Sequence, residues 1–281
     1  MQILNGLVFG LIIALVASGL TLIFGIMDVV NFAHGEFYMV GAFVGWFTIG
    51  YTQNFWVALI AAFFFVGVFG ALVEMSTLRP IRGRDPLYTL MAMFGLSLFA
   101  QQAILMIFGP IAKEVKEPLA TKIPLFALEY PLYRLLIVAI AVVIFIAFWA
   151  FLKKTKYGVW IRATMQDNVM ASALGIPVRL VYTLTFALGC ALAAASGVLV
   201  APIFSVYQSM GLAVIVTTFI VVVIGGMGSL VGSILAAIII GELQTVTSVW
   251  VSPTYARIFS FGALIVVLLL RPQGLFTISK R

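Results

Sequence analysis

The sequence predicts an all-α polytopic transmembrane helical bundle of about eight to ten spans. Three observations lead there. Hydrophobic residues make up 64% of the 281 and charged residues 9%, where soluble domains carry roughly a quarter charged residues. Apolar runs of about twenty residues, the length that crosses a bilayer, recur from one end of the chain to the other. Small residues repeat at four-residue spacing, as at Gly6/Gly10, Gly41/Gly45, Gly189/Ala193/Gly197 and Gly228/Gly232/Ala236. That spacing lets helix backbones approach closely in lipid, where apolar burial no longer drives helices together. The mean hydropathy of +1.22 leaves too few charges to clothe a soluble surface. The whole chain, 1–281, is expected to be one transmembrane domain.

Taken in order, the spans are expected at Gly6–Met27, a shorter Phe37–Gly50, Phe55–Leu78, Leu87–Phe108, Tyr133–Leu152 and Leu180–Phe204. Two tightly joined segments, Leu212–Ile224 and Leu230–Val246, follow, and Tyr255–Leu270 closes the set. Leu7–Ala17 has the look of a signal-peptide apolar region. No Lys or Arg precedes it and apolar sequence resumes directly after it, so it reads as the first span.

The net charge of +7 is spread over short loops between apolar runs, which argues for membrane topology rather than nucleic acid. Three loops carry 11 of the 16 basic residues: Arg79/Arg82/Arg84, Lys153/Lys154/Lys156/Arg162/Arg179 and Arg271/Lys280/Arg281. They share one side if the intervening spans are even in number, as they are here. The positive-inside rule puts that side in the cytoplasm, the C-terminus with it, and the N-terminus outside. The single cysteine, Cys190, lies in an apolar segment and excludes an intrachain disulfide.

Two stretches interrupt the apolar pattern. In the first, Asp28, Asn31, the single histidine His34 and Glu36 lie between the first two spans. Ionisable groups there are costly unless paired, solvated or used. In the second, Gly225, Gly226, Gly228 and Gly232 mark a helix break or a packing point. Gly-interrupted segments in both halves of a chain point to a transport site, and a tight turn explains the second equally well. The two stretches share no visible sequence. Glu242 and Gln244, with Thr245, are further polar groups in the eighth span. With Asp28, Asn31, His34 and Glu36 they are the candidate pathway or gate residues.

The largest cytoplasmic feature runs from 153 to 179. Helix formers extend from Arg162 to Leu174, Gly175 stops them and Pro177 prevents resumption. Ile161, Met165, Val169 and Ala173 fall four apart and form an apolar stripe. Such a helix either lies at the membrane interface or docks into a groove on a partner.

The chain resembles the permease subunits of bacterial branched-chain amino acid ABC importers, in particular the first, LivH-like permease. Three blocks carry the resemblance. The first is Ala17-Ser-Gly-Leu-Thr-Leu-Ile-Phe-Gly with Asn31-Phe-Ala-His-Gly-Glu-Phe-Tyr-Met-Val-Gly41. The second is Arg162-Ala-Thr-Met-Gln-Asp-Asn with Ala171-Ser-Ala-Leu-Gly-Ile176, and the third is Ile220-Val-Val-Val-Ile-Gly-Gly-Met-Gly-Ser229. The resemblance implies a bacterial inner-membrane importer with a second, LivM-like permease, two cytoplasmic ATPases that bind ATP and Mg, and an external solute-binding protein. It implies no cofactor in this chain. It also implies that the 153–179 segment couples to the ATPase, with Arg162, Ala163, Gln166, Asp167, Asn168, Ala171, Gly175, Ile176 and Pro177 as the coupling residues. The Glu-Ala-Ala start of the wider importer signature is replaced by Arg162-Ala163-Thr164. Urea and short-amide permeases are similar in these blocks.

Other functions compete less well. No lysine follows a glycine, so the chain holds no P-loop. His34-Gly-Glu36 lacks the second histidine of a zinc-protease motif, and there is no Gly-x-Ser-x-Gly. An ion-coupled secondary transporter would use Asp28, Glu36 and Glu242 as a relay. The expected function is half of an amino acid pathway, not an enzyme.

Overall fold

The computed structural model describes residues 1–119, 121–125 and 128–276. The basic residues Lys280 and Arg281 lie outside them. The elements are α1 (Gln2–Met27), α2 (His34–Thr52), α3 (Phe55–Val73), α4 (Arg79–Ile81), α5 (Pro86–Phe108), β1 (Lys122–Leu125), β2 (Leu128–Pro131) and α6 (Leu132–Lys154). Then come α7 (Lys156–Gln166), α8 (Asn168–Ala173), α9 (Val178–Val200), α10 (Met210–Gly225), α11 (Leu230–Trp250) and α12 (Pro253–Leu270). Among the described residues seven helices are long and apolar enough to cross a membrane. The two expected spans outside that set are α2 and the 16-residue α10. The all-α expectation omitted one small feature: β1 and β2 form an antiparallel hairpin in the loop before α6.

Local chemistry sets the helix starts. Asn54 accepts from the backbone N–H groups of Trp56 and Val57 at 2.9 and 3.3 Å and opens α3. Asp85 accepts from the Leu87 N–H at 2.9 Å, with Pro86 in the first turn of α5. Ser229 caps α11 through the Gly232 N–H at 3.2 Å. Each cap satisfies a donor that the helix itself leaves free, and Pro fits the first turn because its missing N–H would go unused.

The most enclosed helices are α1 and α9. They pack against each other antiparallel, with Gly19 against Gly189 and the Ser196 hydroxyl donating to the Ile12 carbonyl at 2.9 Å. A Cβ on Gly19 would run into the Gly189 backbone. The small-residue spacing therefore marks real backbone approaches, between α1 and α9 and also between Gly41 and Ala194.

Around this pair the contacts are reciprocal. Helix α1 packs on α11 and α9 packs on α3; α2 lies on α3 and α9, and α10 lies on α11 and α1. Outside them α5 touches α2 and α12 touches α10. Thus the contacts among α1, α2 and α3 are repeated in the inverted sense by α9, α10 and α11, with α5 and α12 outside them and α6 between the two sets in the chain. The sequence shows no such repeat.

The three basic loops, the last through its described residues 271–276, gather at one end. There Met165 and Gly228 meet Gly25, Arg82 stacks on Tyr182 at 3.8 Å, and the Leu275 N–H donates to the Ile224 carbonyl at 2.9 Å. At the opposite end Asn5 accepts from Tyr130 and Arg134, and Lys113 exchanges backbone hydrogen bonds with Val206.

One buried ion network anchors the basic end. Glu74, fully buried in a π turn at Glu74–Leu78, accepts from Arg82 at 2.7 Å, Arg79 at 3.1 Å and the Thr183 hydroxyl at 2.8 Å. The carboxylate joins the end of α3 to the start of α9. Removing one partner of such a group leaves the others uncompensated. Glu74→Ala is expected to destabilise the protein by about 3 kcal/mol, seen as a lowered thermal unfolding midpoint in detergent, with Glu74→Gln in between.

Candidate functional site

The first interruption is a re-entry into the bundle. Helix α1 ends at Asp28, which is exposed and takes the left-handed conformation at φ 54°. The chain then turns back, and α2 begins in the interior. His34 Nε2 donates to the Val16 carbonyl at 3.1 Å. Val16 lies eleven residues before the end of α1, which is about 16 Å along the axis. The histidine bridges helix backbone, and its Nδ1 is buried without a hydrogen-bond partner among the described residues.

Glu36 was open to reading as a solvated interfacial charge, and the structure corrects this: it is 3% exposed. One carboxylate oxygen accepts from the Ser97 hydroxyl and the Gln101 amide, both at 2.8 Å, which ties α2 to α5. The other lies beside Gly211 and has no hydrogen bond among the described residues. Asn31 is also fully buried, and neither amide atom has a hydrogen-bond partner among the described residues.

The corresponding break runs from 201 to 209, after which α10 starts in the interior. Gly35 and Gly211, each the second residue of its helix, touch through their backbones. The starts of α2 and α10 therefore meet inside the bundle. Buried or cavity-lining irregular backbone of this kind is what a membrane tolerates at depth. Neither residue was singled out from sequence, although each glycine follows directly on an interruption.

A cavity of about 440 Å³ lies between α1, α6, α10, α11 and α12, at the end away from the basic loops. Its polar lining includes Asn5, Arg134, Tyr207, Thr217, Gln244 and Arg257. A second, of about 460 Å³, shares Tyr207, Thr217, Gln244 and Arg257 with it and runs along the outer face of α10. Gln244 is the sequence candidate that lines both, and its amide donates to Ser260 at 2.9 Å. Sequence reasoning passed over Arg257, although an arginine within an expected span was the signal. Glu242 does not line either cavity. It is half-buried against Gly6, without a hydrogen bond or ion pair among the described residues. Asp28, Glu36 and Glu242 thus sit at the basic end, in the interior and near the opposite end, and are not brought together as a relay.

The glycine-rich turn divides by role. Gly226 and Gly228 have φ of 98° and 87° and make the turn between α10 and α11. Gly225 and Gly232 face each other across it at backbone contact.

The segment after α6 departs from expectation. A single helix from Arg162 to Leu174 was predicted, and the structure breaks it at Asp167. The Asp167 carboxylate accepts from the Val169 and Met170 N–H groups, both at 2.9 Å, and so caps α8. A short acceptor side chain competes with helix continuation in this way. The expected stripe is split: Ile161 is buried while Val169 is exposed. Ala171 is buried and so offers no outward contact, Ala163 and Ile176 are half-buried, and Arg162, Gln166, Asn168 and Pro177 are exposed. Gly175 has φ 82° and ends the segment. Asn168 donates to the Tyr182 hydroxyl at 3.3 Å, which links α8 to α9.

A model of the family described as "Branched-chain amino acid transport system / permease component" matches residues 2–268. The chain belongs to this permease family. The permease is 31% identical to the high-affinity branched-chain amino acid transport system permease protein LivH of Escherichia coli (strain K12), over 98% of this chain and 94% of that one. It is 29% identical to BraD of Pseudomonas aeruginosa, with the same coverage. Among solved structures, PsaBC from Streptococcus pneumoniae in complex with Fab superposes with a TM-score of 0.52, covering 96% of this chain and 91% of that one. At 13% identity the likeness is one of fold.

The geometry around Glu36 gives a test. Glu36→Ala leaves Ser97 and Gln101 without their acceptor and is expected to cost about 2 kcal/mol of stability. Glu36→Gln keeps an oxygen for both donors and is expected to unfold within a few degrees of the wild type. Thermal unfolding of the two variants in detergent checks this.

Proposed function

We propose that this permease forms half of the translocation pathway of an ATP-driven importer for branched-chain or other hydrophobic amino acids. The observation that carries the reading is the family match along residues 2–268. The permease is a multi-pass protein of the inner membrane. Its partners are a second, LivM-like permease, two cytoplasmic ATPase subunits that bind ATP and Mg, and an external solute-binding protein. The basic end faces the cytoplasm by the positive-inside rule, so the N-terminus and the large cavity face outward. The binding protein delivers solute to that cavity.

On the cytoplasmic side α8 is the docking element. Val169 and Leu174 are each 75% exposed, and Met170 is exposed beside them. This apolar tip stands among basic loops and fits a groove on the ATPase. Asp167 holds the tip in shape by capping α8, and Gly175 turns the chain back towards α9.

The reading is tested by reconstituting the permease with these partners in proteoliposomes and measuring leucine uptake. Uptake is expected to require both ATP and the binding protein. Uptake by this chain alone under an ion gradient would overturn it. Val169→Glu with Leu174→Glu is expected to abolish co-purification of the ATPase without lowering the unfolding midpoint. Asp167→Ala loses about 1 kcal/mol of capping and is expected to reduce uptake, whereas Asp167→Asn, which still caps, is expected to retain it.

A further inference from the structure

The 440 Å³ cavity has a one-sided charge. Its lining holds two guanidinium groups, Arg134 and Arg257, and among the described residues no aspartate or glutamate. Arg134 donates to the side-chain oxygen of Asn5, a neutral acceptor, so its charge is not cancelled. Arg257, one turn into α12, makes no hydrogen bond or ion pair among the described residues. It lines both cavities at their junction. The rest of the lining is largely apolar, with Val8 and Ile12 of α1 opposite Val214 of α10.

A cation beside an apolar wall in a membrane protein is costly unless it is paired or solvated. Arg257 is exposed and therefore solvated, so a solute carboxylate exchanges part of that water for one charge-assisted contact, which suits transit better than tight binding. The neutral polar groups Tyr207, Thr217 and Gln244 can orient such a solute but cannot neutralise it.

We propose that this cavity is a transit site for a solute carrying one carboxylate and an apolar side chain, and that Arg257 receives the carboxylate. The inference rests on the import function proposed above and adds the recognised group. Arg134, held by Asn5, which also accepts from Tyr130, supplies positive potential at the rim. The ammonium of an amino acid meets only neutral acceptors here, so the site reads the carboxylate and the apolar volume. A neutral solute such as urea would make no use of the charge.

The test uses the complete transporter in proteoliposomes. Arg257→Gln is expected to lower ATP-driven leucine uptake about tenfold, the worth of one charge-assisted contact in a partly solvated site. Arg257→Lys is expected to keep a large part of it. Arg257→Cys then separates charge from folding. Coupling an aminoethylthio group to it is expected to restore uptake severalfold, and a sulfonatoethylthio group to leave it low; Cys190 is fully buried and shielded from both reagents. Uptake by Arg257→Gln within twofold of the wild type, or equal rescue by both reagents, would overturn the carboxylate site and leave the import function standing. A wild-type complex that fails to import leucine would overturn the import function itself.

Discussion

The antiparallel contact between α1 and α9 is the constraint on which the rest depends. Gly19 and Gly189 bring the two backbones together, and Ser196 adds a buried hydrogen bond to the Ile12 carbonyl. In lipid, apolar side chains gain nothing by leaving one hydrocarbon surface for another, so close backbone approach and interhelical hydrogen bonds must supply the association. Because the pair is narrow, each helix has faces left for three neighbours. Helix α11 covers α1, α3 covers α9, and the two short helices α2 and α10 enter from opposite ends.

Those short helices explain why polar groups lie at the centre. A chain that turns back inside the bundle exposes backbone groups that lipid cannot satisfy. His34 spans from the start of α2 to the Val16 carbonyl, and Glu36 gathers Ser97 and Gln101. The two residues with the most conspicuous chemistry in the sequence are therefore bound to neighbouring helices. The large cavity is walled instead by the 201–209 break, α11 and α12 together with α1 and α10, with Arg134 and Arg257 as its charges.

What the sequence made legible follows from this physics. Span positions were readable because twenty apolar residues are hard to mistake, and each expected span has its helix. The inverted repeat was not readable. What the two halves share is a helix that stops, a break, and a glycine at the second position of the next helix, Gly35 in one half and Gly211 in the other. A single glycine does not register as sequence similarity. The break at Asp167 was missed because apolar spacing continued through it, while the deciding interaction was a local cap. A lone arginine one turn into an apolar run does not by itself mark a cavity, and the two-cation character exists only once α6 and α12 both contribute to the lining.

The basic end adds a mechanical constraint. Helix α8 ends at Ala173 and α9 begins at Val178, so four residues connect them. Asn168 is hydrogen-bonded to Tyr182, whose ring carries Arg82, and Arg82 is held by Glu74 at the foot of α3. A displacement of α8 must break the Asn168–Tyr182 bond or carry the start of α9 with it, and α9 cannot move there without straining the Glu74 network. Its far end leads directly into the 201–209 break that walls the cavity. Helix α9 thus connects to the exposed apolar tip through a short tether at one end and to the cavity lining through Val200 at the other. A rigid helix packed along its whole length against α1 suits that position better than a flexible connection would.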